Sequence, residues 1–240
     1  PRSHKYFAAT GRVCTQPAGW RCYLDGAFLE RDRQSRLGVR LKSLRGAFDE
    51  LARNRGLDRL LVGSVAMRNE LLMNGFDAAR VRIVAPAVRD AAPLPTLVAT
   101  GRTVLYVGQL VRGKGVDLLL RAFAIVRRTE RTSGVAPTRL VIVGQGSHEP
   151  VLRRLVATLG VADDVEFRGW VANDRLGALY RAARVVAFPA RWPEPFGMVG
   201  LEAMRHATPV VGFDVGGVRD WLADGETGVL VPEQDVAAFA

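Results

Sequence analysis

Two glutamates eight positions apart, Glu194 and Glu202, lie in the segment Arg191-Trp192-Pro193-Glu194-Pro195-Phe196-Gly197-Met198-Val199-Gly200-Leu201-Glu202-Ala203. A carboxylate accepts bidentate hydrogen bonds from neighbouring hydroxyls, so such a pair suits a polyhydroxyl ligand. The prolines place Glu194 in a turn, and a helix beginning near Phe196 carries Glu202 about one and a half turns along. The N–H groups of Phe196, Gly197 and Met198 then stand uncapped beside Glu194, where a sugar or phosphate oxygen can meet them. The spacing alone also fits an ordinary solvated helix face; the flanking Pro, Phe and Gly favour the site.

A second constellation is Gly108-Gln109-Leu110-Val111-Arg112-Gly113-Lys114-Gly115, which runs into a helical pattern. Its glycines let the backbone turn tightly and come close to a ligand. The helix N-terminus, Arg112 and Lys114 supply N–H groups and positive charge, which together suit a phosphate or diphosphate. Lys114 is the only Lys in residues 101–240, against 16 Arg, which sets it apart from the general basic usage. The alternative is a glycine-rich turn with solvated charges. The Walker spacing is absent, so this is no P-loop. Gly144-Gln145-Gly146-Ser147 begins like a dinucleotide fingerprint, but Glu149 stands where the third glycine belongs, and a tight strand-to-helix turn explains it equally well. Phe213-Asp214-Val215-Gly216-Gly217 either approaches the same ligand or is a tight connection.

These residues need elements to hold them. Strand-like apolar runs occur at 103–110, 139–146, 165–170, 184–190, 209–213 and 227–232, with helical patterns at 116–128, 149–159, 174–183, 198–206 and 217–223. Near-continuous apolar strands alternating with helices predict βαβ units, a parallel sheet buried on both faces and right-handed crossovers. Ligands bind beyond the carboxyl ends of such strands, where the constellations above fall. Upstream, 60–63 and 81–88 read as strands around a helix at 64–74, with Ser64 as N-cap and Gly75 just past its end. Residues 1–59 carry no clean strand, and 36–53 has helical periodicity. The expected division is a partial domain over 1–92, a linker at 93–101 and an α/β Rossmann-like domain over 102–240.

With 240 residues, 48% hydrophobic and 24% charged, the chain can bury a core, which excludes a disordered tail, a collagen-like fibre and a disulfide-stapled miniprotein. No run approaches the ~18 apolar residues of a membrane span, and no signal peptide opens the chain. It begins at Pro1, so a fragment is expected. Residues 1–100 hold 17 basic and 9 acidic residues, against 17 and 15 in residues 101–240. A basic half points to an anionic partner: phospholipid, nucleic acid or a phosphorylated substrate. An Arg bias of 31 among 34 basic residues also accounts for it without any partner. Cys14 and Cys22 with His4 are too few for a closed zinc site, so reduced structural thiols are expected and no metal site is assigned.

In order, the Lys114 loop, the Gly144–Gly146 turn, Glu194 to Glu202 with Pro195-Phe196-Gly197, and Pro209-Val210-Val211 before Gly216-Gly217 resemble the donor domain of the retaining glycosyltransferases of family 4. These are the group-1 glycosyl transferases of the two-domain GT-B fold. The resemblance covers residues 103–235, and residues 60–90 resemble the end of that family's acceptor domain. It implies a GT-B α/β fold, with a Rossmann-like donor domain and a partial acceptor domain, and transfer of a sugar from a nucleotide sugar with retention at the anomeric carbon. It implies Lys114 on the donor diphosphate, Glu194 on the sugar hydroxyls and Glu202 on the ribose. The amides of Phe196, Gly197 and Met198 would hold sugar and phosphate, and Gly108, Gln109, Arg112, Gly144 and Gly146 would complete the donor site. Glu194 and Lys114 are the candidate catalytic residues. No cofactor and no metal are expected, because Lys114 and helix N-termini would stabilise the leaving diphosphate.

The resemblance has departures. Gln109 stands where the family usually has Arg, so a neutral donor replaces a charge unless Arg112 compensates. The family's His near the donor sugar belongs to a part that precedes this chain, and neither His4 nor His206 is assigned that role. The family's final helix would follow Ala240. The expected partners are a nucleotide sugar and an acceptor the sequence does not name, with a lipid-linked one among the candidates. Peripheral membrane contact through the basic N-terminal part fits such an acceptor, and no nucleic acid is expected. The expected location is the cytoplasm, at the inner face of the membrane where that contact is made. Two other readings stay open: a non-catalytic binding fragment, and an NAD-type oxidoreductase, which the missing third glycine and acidic residue disfavour.

Overall fold

The computed structural model describes residues 14, 16–24, 26, 28–31, 38–88 and 101–240. His4 and most of the expected linker lie outside the described residues. Contacts divide the chain into two units, Pro1–Ala85 and Pro86–Ala240.

In the first unit, α1 (Arg21–Leu24), β1 (Leu29–Arg31), β2 (Val39–Leu41) and α2 (Arg45–Arg55) precede a βαβ unit of β3 (Leu60–Val62), α3 (Val65–Met73) and β4 (Val81–Ile83). The expectation of no strand before residue 60 is corrected: β1 pairs antiparallel with β2, Leu29 opposite Leu41. Three-residue strands span little more than one period of apolar alternation, so the pattern cannot reveal them. The Ser64 hydroxyl accepts from the Met67 N–H at 3.1 Å, the N-cap expected from its side chain. Gly75 takes φ +79° just past α3. β3 and β4 are parallel, and Val62, Phe76 and Val81 form a small core against Leu51 and Leu71. Cys14 and Cys22 are free thiols.

The second unit is one six-stranded parallel sheet. Its strands are β5 (Thr103–Val107), β6 (Arg139–Val143), β7 (Val165–Gly169), β8 (Val185–Phe188), β9 (Val210–Phe213) and β10 (Gly228–Val231), ordered β10-β9-β8-β5-β6-β7. Around them run α4 (Val116–Ser133), α5 (Glu149–Leu159), α6 (Asn173–Ala182), α7 (Met198–Arg205) and α8 (Val236–Phe239). Leu105, Val141, Val143 and Val186 face one core, while Tyr106, Leu140, Ile142 and Ala187 face the other. The central strands β5, β6 and β8 are therefore apolar at consecutive positions because both faces are covered, whereas the edge strand β7 alternates, with Glu166 and Arg168 exposed. The order places the topological switch between β5 and β8, from which the chain winds in opposite directions.

Four elements differ most from expectation, one of them the strand expected at 139–146, which ends at Val143 because Gly144 (φ +135°) turns the chain out of the sheet. The strand expected at 103–110 ends at Val107, because Gly108 (φ +154°) turns the chain out of the sheet. The helix expected at 116–128 continues to Ser133, since its buried face carries on through an ion-paired pair, Arg127 and Glu130, rather than apolar residues. The helix expected at 217–223 is a 3-10 turn over Gly216–Asp220; Trp221 leaves it to pack edge-on against Phe188.

Arg127 donates from Nε to Asp164 at 2.8 Å and from an Nη to Glu130 at 2.6 Å. Glu130 also accepts from the Thr138 N–H at 3.0 Å and from Arg102 at 2.5 Å. Burial alone would raise the Glu130 pKa, but the Thr138, Arg102 and Arg127 hydrogen bonds outweigh it and bring it from 4.5 to about 2. A depressed carboxyl stabilises the fold above its unfolded value and loses that contribution as pH falls towards the folded value. We expect ~3 kcal/mol of stability to disappear between about pH 4.5 and 2. Urea unfolding of the wild type should show that loss, and Glu130→Gln should be destabilised at pH 7 with a flatter acid limb; an unchanged acid limb would contradict this role.

Candidate functional site

The switch between β5 and β8 is where the side chains gather. Gly108 and Gln109 follow β5, a 3-10 turn carries Arg112–Lys114, and Pro189 to Glu194 follow β8. A cavity of about 500 Å³ opens there, lined by Tyr106, Gly108, Gln109, Lys114, Trp192, Glu194, Phe196, Gly197 and Met198 among others. A larger one of about 580 Å³ lies near the amino ends of the strands, lined mostly by apolar groups such as Leu119, Phe123 and Phe239. Volume does not select the site; the charged pair and the free helix end do.

Lys114 Nζ lies 2.8 Å from Glu194 Oε2, and the Trp192 indole N–H donates to the same oxygen at 2.8 Å. Glu194 is only 9% exposed, so its charge is neutralised by an ammonium and a neutral donor inside the fold. The Tyr106 hydroxyl donates to the Gln109 carbonyl at 3.0 Å. Burial, then the nearby Glu194 charge, raises the Tyr106 pKa, which keeps it a neutral donor. α7 begins at Met198, after Gly197 in a left-handed conformation with φ +98°. Its first N–H groups have no acceptor within the helix, and Met198 and Val199 line the cavity. The helix starts at the first residue of the 198–206 pattern, two residues past Phe196, so Glu202 stands just over one turn along it.

The loops are held by close backbone approaches. The Gly113 carbonyl accepts from the Arg191 N–H at 2.9 Å, and the Glu194 carbonyl from the Gly217 N–H at 2.8 Å. A Cβ on Gly216 would come 2.3 Å from the Glu194 carbonyl oxygen. The Phe213–Gly217 turn therefore buttresses the Glu194 turn and lines no part of this cavity. Arg191 pairs with Asp117 in the first turn of α4, a second tie between the Lys114 and Glu194 loops.

Not every expected residue joins the cavity. Gly144 and Gly146 serve packing instead: a Cβ on Gly144 would fall 1.8 Å from the Gly108 oxygen, and one on Gly146 2.3 Å from the Leu110 oxygen. Hydrogen bonds of 2.9 Å from Leu110 to Gln145 and from His148 to Leu110 zip those two loops together. Arg112 is exposed and borders no described part of the cavity. Glu202 lines a neighbouring cavity of about 480 Å³ with Asn173, Gly177, Tyr180, Arg205 and His206. Its Oε2 accepts from the Tyr180 hydroxyl at 2.8 Å. Burial first, then that bond to Glu202, raises the Tyr180 pKa. His206 ends α7 and stacks on Tyr180 with ring centroids 5.6 Å apart. Burial, then Arg181 and Arg205, lowers its pKa against the opposing pull of Glu202.

Tyr106, Tyr180 and Trp192 are the site residues that sequence reasoning passed over. Trp192 stands inside the Glu194 segment, but nothing in a sequence says that its indole N–H reaches forward two residues to the Glu194 carboxylate. Tyr106 and Tyr180 fall inside an expected strand and an expected helix, and both are core residues as well. Among the described residues no group of three or more His, Cys, Asp or Glu is placed to hold a metal ion, and no helix is long and apolar enough to cross a membrane.

Residues 95–240 match the family described as "Glycosyl transferases group 1". The chain is similar to the D-inositol 3-phosphate glycosyltransferase of Acidothermus cellulolyticus, 40% identical over 76% of this chain and 44% of that protein. It is similar to that of Gordonia bronchialis, 38% identical over 72% of this chain and 41% of the relative. It thus spans less than half the length of these relatives. Among solved structures, sucrose-phosphate synthase of Thermosynechococcus elongatus superposes with a TM-score of 0.70 at 28% identity, covering 87% of this chain and 52% of that one. HepE of Anabaena, in complex with UDP and glucose, superposes with a TM-score of 0.67 at 24% identity, over 82% of this chain and 55% of that one, and so shares the fold.

Proposed function

Since the chain belongs to the group-1 glycosyl transferases, we propose that it carries the donor site of an enzyme that moves a sugar from a nucleotide sugar to an acceptor hydroxyl, with retention at the anomeric carbon. The observation that carries this reading is the Lys114–Glu194 pair at 2.8 Å, set beside the first turn of α7 in the cavity at the β5–β8 switch.

Lys114 and the free N–H groups of α7 meet the diphosphate and stabilise the negative charge that grows on it as the bond to the anomeric carbon breaks. The electron pair of that bond leaves with the diphosphate, whose departing oxygen takes the proton of the acceptor hydroxyl as the acceptor oxygen forms the new bond on the same face of the sugar. Glu194 accepts from sugar hydroxyls through the oxygen that Lys114 and Trp192 leave open. Gln109, where the family usually has Arg, adds a hydrogen bond without a charge. Neither metal nor cofactor is required in this reading. Glu202 stands four residues along α7 from Met198, a rise of about 6 Å, which suits one nucleotide spanning both cavities with its ribose against Glu202. UDP bound in HepE of Anabaena is consistent with that ligand class.

The surplus of 8 positive charges in residues 1–100 favours an anionic partner for that part. A lipid-linked acceptor with peripheral contact at the cytoplasmic face of a membrane is the form we favour. Co-sedimentation with anionic vesicles across a salt series tests it, and salt-independent absence of binding removes it.

Calorimetry with UDP, GDP and ADP and their glucose and mannose conjugates tests the donor site; no binding by any of them overturns the reading. For Glu202, wild type should prefer a ribonucleoside diphosphate over its 2′,3′-dideoxy analogue by about tenfold, and Glu202→Ala should lose that preference. A preference that survives the substitution moves the ribose elsewhere.

A further inference from the structure

Two donors converge on one carboxylate oxygen, and the second has been given no role of its own in the donor site. Glu194 Oε2 receives Lys114 Nζ and Trp192 Nε1, both at 2.8 Å. Lys114 also stands over the Trp192 ring, 5.4 Å from its centroid. The ring lies against Gly113 so closely that a Cβ there would fall 2.3 Å from ring carbon Cε3. The Trp192 and Arg191 N–H groups both point to the Gly113 carbonyl, at 3.4 and 2.9 Å.

These contacts create a conflict that the donor must resolve. A diphosphate in the cavity carries more charge than one carboxylate and draws the Lys114 ammonium towards itself. Glu194, nine-tenths buried, would then be left without its cation, and a buried carboxylate that loses its donors is costly. An indole N–H is a donor only. Its direction is fixed by a ring that has Gly113 on one side, so it cannot follow the lysine.

We propose that Trp192 is a positioning residue: its indole N–H holds Glu194 Oε2 in place when Lys114 turns to the diphosphate, so that Oε1 stays aimed at the sugar. This rests on the donor-site reading above. It makes the affinity added by the sugar, rather than that of the diphosphate, the quantity Trp192 controls. A tryptophan that merely filled space would affect both alike.

Trp192→Phe keeps most of the ring and removes the N–H. Calorimetry on the full chain with UDP, GDP, ADP and their glucose and mannose conjugates should show nucleoside diphosphate affinity within twofold of wild type. Affinity for the matching nucleotide sugar should fall about tenfold. In a Glu194→Gln background the same substitution should cost no further sugar affinity. Equal losses for both ligands, or a sugar contribution that survives, overturn the proposal while leaving the donor site standing. A wild-type chain that binds none of the nucleotides overturns the donor-site reading and this proposal with it. A spectroscopic measurement on the wild-type fold needs no Trp192 variant. Of the four indole N–H resonances from the four tryptophans, one should shift on Glu194→Gln and keep its hydrogen-bonded position when nucleoside diphosphate saturates the site. A resonance that reverts to the solvent-exposed position on saturation rules out the holding role.

Discussion

Lys114→Ala should lower the affinity of the chain for a nucleoside diphosphate by about a hundredfold, the upper part of the range for a lost charge-assisted hydrogen bond. Two effects add. The diphosphate loses the ammonium that meets it, and Glu194 keeps a full negative charge in the same cavity with only the Trp192 N–H to hold it. The site changes from a paired one to one that repels an anion, and like-charge juxtaposition costs several kcal/mol where screening is weak. The double variant Lys114→Ala/Glu194→Gln removes the repulsion without restoring the cation, so it should recover part of the loss. Calorimetry at constant salt measures both. A single variant that binds within threefold of wild type, or a double variant no better than the single, removes Lys114 from the diphosphate site.

How far this could be read from the sequence depends on the scale of the interaction. The βαβ alternation of residues 103–231 was legible because strands covered on both faces are apolar at consecutive positions, as Leu105 and Tyr106 facing opposite cores illustrate. Lys114 and Glu194 could each be singled out, since one is an isolated Lys in an Arg-rich stretch and the other lies in a Pro- and Gly-flanked turn. Their meeting across 80 positions could not be, because it depends on β5 and β8 being neighbours, a matter of strand order and not of local pattern. The glycines of the Gly144–Gly146 turn left two explanations open. They carry a ligand-like spacing, yet the structure uses their missing Cβ atoms to admit the backbone of the Lys114 loop. A glycine says only that something comes close. Whether that is a phosphate or a carbonyl is decided in three dimensions, and so is the inward reach of Trp192.

Gly115→Ala tests that distinction on stability. Gly115 joins the Lys114 turn to α4 with φ +68°, and a Cβ there would fall 1.8 Å from the Pro189 carbonyl oxygen and 2.9 Å from its carbon. Gly134, at the far end of the same helix, has φ +65° and nothing within 4 Å of its missing Cβ. Alanine at either position costs about 1 kcal/mol for the left-handed backbone. Only at Gly115 must backbone also move against backbone. Such a contact cannot be relieved by a side-chain rotation, so we expect Gly115→Ala to destabilise the domain by about 3 kcal/mol or more. The movement that relieves it separates the Lys114 loop from the strand end leading to Trp192 and Glu194, and so pulls on the Arg191 to Gly113 hydrogen bond. The same variant should therefore lose nucleotide affinity even where it stays folded, while Gly134→Ala keeps it. Urea unfolding and nucleotide titration of the two variants separate conformational strain from steric contact. Equal losses of stability at the two positions would mean that the Pro189 approach does not hold the loops, and that their register comes from the Asp117–Arg191 ion pair instead.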